Sequence, residues 1–306
     1  MGALTHYQNG ASLLAGTADW ADRDGDDEMG TVYTLSKGIL LVPGSQDPEP
    51  PARRLTRRVR VKPARVFRPI DPALTPEEHF PLQTVTAMSP YPRFVSRYNS
   101  REMLLVVEGS CTNNGGHGPQ AGPPTAGASF MFKGGSTGTT TTMPFLKQGK
   151  GCTHISGTIA FRLERQGPRN DGAVAHTSNR AKLRAVIAAL EFRNWHAEGW
   201  RRVVVVTDLE YVVHGATRWV PTWTRRRWRN KKGAPVANRD LWEQLQARVD
   251  AMRAGGAEVA FWLLPPRSVV RAQSELMREA KAAAQDAART EGPLEKEFTR
   301  LCGIFV

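Results

Sequence analysis

The sequence predicts an α/β fold: a mixed β-sheet with helices packed on it. Short apolar runs of strand length recur along the chain, and separate stretches carry apolar residues at helical spacing. Their order is the third observation, since three strands come first and strand–helix alternation follows.

The first strand is "EMLLVV" (102–107), a buried apolar run ending at Glu108 and Gly109. "ASFMFK" (128–133) and "GTIAFRLE" (157–164) read as the next two strands. The Gly/Thr-rich stretch between them, 134–156, predicts a loose surface insertion. "TSNRAKLRAVIAALEF" (177–192) predicts the first helix, because Leu183, Val186, Ile187 and Leu190 fall on one stripe. Thr177, Ser178 or Asn179 can cap its start. "RRVVVV" (201–206) is a strand of four valines ending at Thr207 and Asp208, and "EYVVHGATRWV" (210–220) reads as helical. In "NRDLWEQLQARVDAMRAGG" (238–256), Leu241, Leu245 and Val249 line one face, and Gly255 and Gly256 mark the stop. "EVAFWLL" (258–264) predicts the last strand and "RAQSELMREAKAAAQDAAR" (271–289) the last helix.

The flanks differ from this core. Residues 1–50 hold eight acids and two bases, a net −6, so the other residues carry +19 of the total +13. "PARRLTRRVRVKPARVFRP" then sets eight Lys/Arg between Arg53 and Arg68, which suits a nucleic-acid-binding arm, a nuclear-import signal or a solvated linker. We expect residues 1–92 to be a largely irregular extension, acidic then basic, the folded domain to run over 93–290, and 291–306 to be a tail. A charge of this size favours a polyanionic partner, with nucleic acid the usual one. Cys111, Cys152 and Cys302 are scattered without CxxC spacing, and the seven histidines show no ligand spacing, which argues against a disulfide frame or a zinc site. No apolar run reaches the roughly 18–20 residues of a membrane span, and the N-terminus lacks a signal pattern. A cytoplasmic or nuclear location is the expectation.

Ligands of open α/β sheets bind at the carboxyl ends of strands, which draws notice to Glu108 and Asp208. Lys182 is the oddity. It sits in the first turn of its helix, where the helix dipole favours an acid, at a cost of a few tenths up to about 1 kcal/mol. The segment "TRWVPTWTRRRWRNKKG" interleaves Trp219, Trp223 and Trp228 with Arg218, Arg225, Arg226, Arg227, Arg229, Lys231 and Lys232. Arginines on phosphates and rings against sugar or base suit a surface that tracks a nucleic-acid backbone. Two or more of the three rings are expected in the core, with the basic face left to bind.

"VVEGSCTNNG", "TSNRAKLRAVIAALEF" and "VVTDLEYVVHGATRWVPTW…WRN…GAPVANRDLWEQL", taken in order and spacing, resemble ribonuclease H, the family that cleaves the RNA strand of RNA–DNA hybrids. The long lead-in and "FWLLPPR" resemble the fungal type-1 group most. The resemblance covers about residues 93–290 and implies a ribonuclease H-like fold, a five-stranded mixed sheet with flanking helices.

The resemblance also implies two Mg²⁺ about 4 Å apart, held by four carboxylates. Of those four positions, the first falls on Glu108, one methylene longer than the family aspartate; the second falls on Lys182, the third on Asp208 and the fourth on Ser274. Glu275 and Glu279 lie near the fourth in sequence but point elsewhere around the helix. Four carboxylates against two dications sum to zero, whereas two carboxylates and one ammonium leave −1. Lys182 is therefore expected to pair with the two acids in place of the metals. Gly109, Ser110, Asn113, Asn114, Ser178 and Asn179 match positions near the RNA strand, where amides and backbone read 2′-hydroxyls. Glu210 is ordinary for the fungal group. Three functions follow as expectations: a non-catalytic protein binding RNA–DNA hybrid or duplex RNA without a cofactor, an active hybrid endonuclease using Mg²⁺ and a third acid such as Glu279, or a protein-interaction scaffold.

Overall fold

The computed structural model describes residues 61–83, 92–113, 122–133, 157–169 and 172–301, with the backbone of 35–36, 39–40 and 141–142. The chain divides into two compact units, Met1–Arg57 and Arg58–Val306. In the first, β1 (Leu35–Ser36) pairs antiparallel with β2 (Ile39–Leu40).

The second unit is built on β6 (Asn99–Cys111), β7 (Ala126–Met131), β9 (Thr158–Arg162), β10 (Arg202–Thr207) and β11 (Glu258–Leu263). They lie side by side as β11-β10-β6-β7-β9. β10 runs parallel to both β6 and β11, while β7 is antiparallel to β6 and to β9, so the sheet is mixed. This is the five-stranded ribonuclease H-like sheet that the sequence predicts. Short strands extend it: β3 (Arg65–Val66) beside β11, β8 (Thr141–Thr142) beside β9, and the pair β4 (Leu82–Gln83) and β5 (Arg93–Ser96) beside β6.

Helices cover both faces, which is why β6 is apolar on successive residues. Met103, Leu105 and Val107 pack in one core with α2 (Ser178–Glu191) and α5 (Arg239–Ala254). Leu104 and Val106 pack in a second core with Met277 and Ala280 of α7 (Glu275–Arg289). Gly127 explains how closely α7 approaches the sheet: a Cβ there would stand 2.2 Å from the Ala284 carbonyl oxygen. Among the described residues no helix is long and apolar enough to cross a membrane.

Several boundaries differ from the expectation. Residues 61–83 belong to the compact unit rather than to an irregular lead-in, because Phe80 and Ala64 are buried and α1 (Pro76–His79) carries a full capping box. Strand β6 continues past Glu108 to Cys111, since pairing with β7 holds through Cys111↔Ala126. The helix predicted from 210 is α3 (Glu210–His214), a π turn over Gly215–Trp219 and α4 (Val220–Arg225). The last predicted helix is broken at Ser274 into α6 (Val269–Gln273) and α7. Apart from Thr141 and Thr142, the Gly/Thr-rich insertion lies outside the described residues.

The tail is docked as far as Leu301. Arg165 and Gln166 donate their backbone N–H groups to Glu295 and Lys296 at 2.9 and 3.0 Å. Beneath it Arg184, only 1% exposed, bonds Glu164 at 2.8 Å, Glu191 at 3.3 Å and the Thr299 carbonyl at 2.6 Å. Leu301 N–H donates to Glu191 at 3.2 Å. Burial pushes the Glu191 carboxyl above its ordinary 4.5, against the pull of Arg184, Arg248 and Arg300. A carboxyl raised in the folded state stabilises it fully below 4.5, and that contribution is lost as pH rises through the raised value. We expect Glu191→Gln to flatten the decline of the thermal midpoint between pH 4.5 and neutrality. An unchanged decline would place its origin elsewhere.

Candidate active site and nucleic-acid interface

Glu108 is carried in the middle of the sheet by β6, and Asp208 follows β10 directly. Gly109 lets the first turn of α2 lie on the neighbouring backbone: a Cβ at this glycine would meet Lys182 N at 2.6 Å and the Ala181 carbonyl carbon at 2.7 Å. That close approach aims Lys182 at the acids. Its ammonium lies 2.9 Å from Glu108 Oε2 and is hydrogen-bonded to Asp208 Oδ1. All three side chains are buried.

A second cation, which periodicity could not reveal, closes the cluster. Arg271 Nη2 stands 3.1 Å from Glu108 Oε1 and 3.5 Å from Asp208 Oδ2. Two carboxylates now face two cations, so the sum is zero rather than the −1 expected from Lys182 alone. The only sequence signal was Arg271's place near the opening of the last predicted helix. Burial pushes the Glu108 carboxyl up despite Lys182, with Asp208 adding repulsion. Burial also works on Asp208, but the Lys182 ammonium and its hydrogen bond, helped by Arg271, hold that carboxyl below its ordinary value.

Ser274 does not join these acids. It is the N-cap of α7, accepting from Met277 N at 3.2 Å and donating to Glu77 Oε2 at 2.8 Å. Glu77 also accepts from Glu275 N at 2.5 Å, so an acid from the 61–83 segment holds this helix start. Both neighbouring acids are engaged elsewhere. Glu275 is exposed beside Arg278 at 3.2 Å, and Glu279 accepts from Thr158 on β9 at 2.9 Å. Among the described residues no group of three or more His, Cys, Asp or Glu is placed to hold a metal ion.

A groove of about 650 Å³ opens beside the start of α2, with Thr177, Ser178, Asn179, Arg180, Tyr211 and Asn238 on its walls. Thr177 caps the helix by accepting from Arg180 N at 3.1 Å. The Arg180 guanidinium is engaged by Asp240 at 2.5 Å. Asn113 holds a left-handed turn (φ 53°) and donates to the Gly122 carbonyl at 3.0 Å; Ser110 is half-buried on β6. Asn114 lies outside the described residues.

The tryptophan segment divides as charge and apolarity would divide it. Trp228 is buried, Trp223 packs partly buried against the same core, and Trp219 lies against Trp223 as a tilted pair with centroids 5.6 Å apart. Arg225, Arg226, Arg227, Arg229, Lys231 and Lys232 are exposed. Arg227 and Trp228 both take positive φ, 54° and 60°, a turn that sends the ring inward next to exposed arginines.

The family model for RNase H matches residues 148–255, a span holding Lys182 and Asp208 but not Glu108. A ribonuclease H of Treponema pallidum subsp. pallidum is 34% identical over 150 residues, 49% of this chain and 74% of that protein. A ribonuclease H of Cyanothece sp. (strain PCC 7425 / ATCC 29141) is 48% identical over 73 residues, 24% of this chain and 45% of that protein. Among solved structures, LC9-RNase H1, described as a type 1 RNase H with the type 2 active-site motif, is 28% identical over 60% of this chain and 72% of its own, at a TM-score of 0.38. The chain thus spans about half the length of several relatives and about three quarters of the Treponema protein. With the family model matched across the first helix and the valine strand, and the Treponema relative 34% identical over 74% of its length, the chain belongs to the ribonuclease H family.

Proposed function

We propose that this protein binds RNA–DNA hybrid or double-stranded RNA without metal and without cutting it. One observation carries the reading: both surviving acids are closed by internal cations, Lys182 and Arg271. Mg²⁺ takes oxygen ligands in a near-octahedral shell, and a site with two acids and two fixed positive charges repels a dication. The residues present do not fit a Mg²⁺ pair. Assignment to the type-1, fungal-like group rests on the lead-in and on "FWLLPPR", and the same reading makes the chain a pseudoenzyme.

Binding is supported by the exposed cations from Arg225 to Lys232 and by the groove at the start of α2. Ser178, Asn179, Ser110 and Asn113 would meet the RNA strand, and the basic turn its partner strand. The test is fluorescence anisotropy with hybrid, duplex RNA and duplex DNA, in EDTA and in Mg²⁺, alongside a cleavage assay in Mg²⁺ and Mn²⁺. We expect binding that ignores Mg²⁺, a log–log salt slope of about −6 for some seven neutralised phosphates, and no turnover. Robust cleavage would overturn the proposal, and salt-insensitive or absent binding would favour a protein-interaction scaffold instead.

A further inference from the structure

Exposed apolar side chains scattered singly need no explanation, but a group of them around one opening marks a binding surface. Among the described residues five large apolar side chains are well exposed, and three of the five line one cavity: Val66 (44%), Ile70 (70%) and Tyr98 (51%). The cavity measures about 300 Å³, and those three walls stand open to solvent. It lies at the amino ends of β10 and β11, with Glu102, Arg202 and Ala260 also on its walls. Glu102 and Glu108 are six residues apart on β6, so about 20 Å separates the cavity from the acid cluster.

The walls combine flat apolar surface with positive charge. Tyr98 sits on the β5–β6 turn, and its ring leans on His79 with centroids 5.1 Å apart. His79 is buried and is itself wedged among Phe67, Phe80 and Trp262, so the exposed ring stands on a fixed support. Arg65 is tied to Glu258 at 2.9 Å and Arg202 to Glu102 at 2.8 Å. Arg68 on the wall and Arg97 on the turn are exposed and, among the described residues, in no ion pair. The nearby acids are held by their own backbone: Asp71 accepts from Ala73 N at 2.9 Å, and Glu78 closes the capping box of α1. Arg65 and Arg68 also end the run of eight Lys/Arg that starts at Arg53 and contains no acid. A partner that complements this surface is a polyanion carrying flat rings.

We propose that the cavity is a second nucleic-acid site, one for a single strand of RNA or DNA. One base enters it against Tyr98 and Ile70, and Arg68 and Arg97 take the flanking phosphates. A duplex keeps its base faces stacked inside, whereas a single strand offers them to an aromatic side chain. An acidic peptide would meet the same arginines, but the exposed, supported ring favours a base. The proposal is independent of how the chain handles duplexes.

Fluorescence anisotropy of the full chain with a labelled single-stranded oligonucleotide tests it, with the RNA–DNA hybrid run in parallel. Tyr98→Ala should weaken single-strand binding about tenfold, the contribution of one stacked base, while Tyr98→Phe should keep it. Arg68→Gln should flatten the log–log salt slope by about 0.7, the share of one phosphate contact on a single strand. Neither change should alter hybrid binding. Conversely, Arg226→Gln with Arg227→Gln should weaken the hybrid and leave the single strand held, so failure here and failure of the duplex reading give different results. A strand of the same length without bases should bind about tenfold more weakly than the intact one. Equal affinity for the base-free strand would reduce the surface to plain charge and overturn the proposal, as would wild-type affinity in Tyr98→Ala. Binding of an oligoglutamate peptide that Tyr98→Ala abolishes, with no single-strand binding, would overturn it in favour of an acidic protein partner.

Discussion

Lys182→Glu combined with Arg271→Gln is expected to give the protein a magnesium site, whereas the wild type is expected to bind no magnesium there. The change takes the cluster from zero to −3, with Glu108, Asp208 and the new glutamate converging where Lys182 and Arg271 now lie. Without metal, three buried like charges should lower the thermal midpoint, because a buried charge left unpaired costs several kcal/mol. Millimolar Mg²⁺ should then restore it, since a cation that binds only the folded state stabilises by mass action. The wild type should show no Mg²⁺-dependent shift. Lys182→Glu alone should respond weakly, because Arg271 still holds one positive charge against both acids. Adding Ser274→Asp, the change that sequence register suggests, should be harmful: it would put a carboxylate beside Glu77, now 2.8 Å from the serine hydroxyl. A double variant that ignores Mg²⁺ would mean that the three side chains do not converge.

The second large effect concerns Arg184. It is almost wholly buried and is the shared partner of Glu164, Glu191 and the Thr299 carbonyl. Arg184→Met should cost about 3–5 kcal/mol, because removing one partner leaves buried acids uncompensated. The measurement is the urea midpoint at constant slope. The triple variant Arg184→Met, Glu164→Gln, Glu191→Gln should recover much of the loss, since replacing a whole buried ion group is often close to neutral. Hydrogen exchange of residues 295–301 should rise in the single variant if this network is what fastens the tail. A loss below about 1 kcal/mol would show that apolar packing does the holding, and that neither the ion pairs nor the guanidinium over Phe298 at 4.2 Å contributes much.

What the sequence determined by itself was whatever local periodicity and order encode. The four valines before Asp208, the stripe of Leu183, Val186, Ile187 and Leu190, and three strands followed by strand–helix alternation led to the observed sheet with helices on it. The charge oddity at Lys182 was visible too, because the first turn of a helix can be read from its cap. Tertiary structure alone decided the rest. Arg271 reaches Glu108 across 163 positions, Glu77 reaches Ser274 across 197, and Arg184 finds Thr299 across 115. Residues 61–83 and the tail join the domain through the same kind of contact. A repeat of apolar residues reports which face of one element is buried, whereas the partner of a buried charge is set by which distant element is packed over it, and no local pattern carries that information.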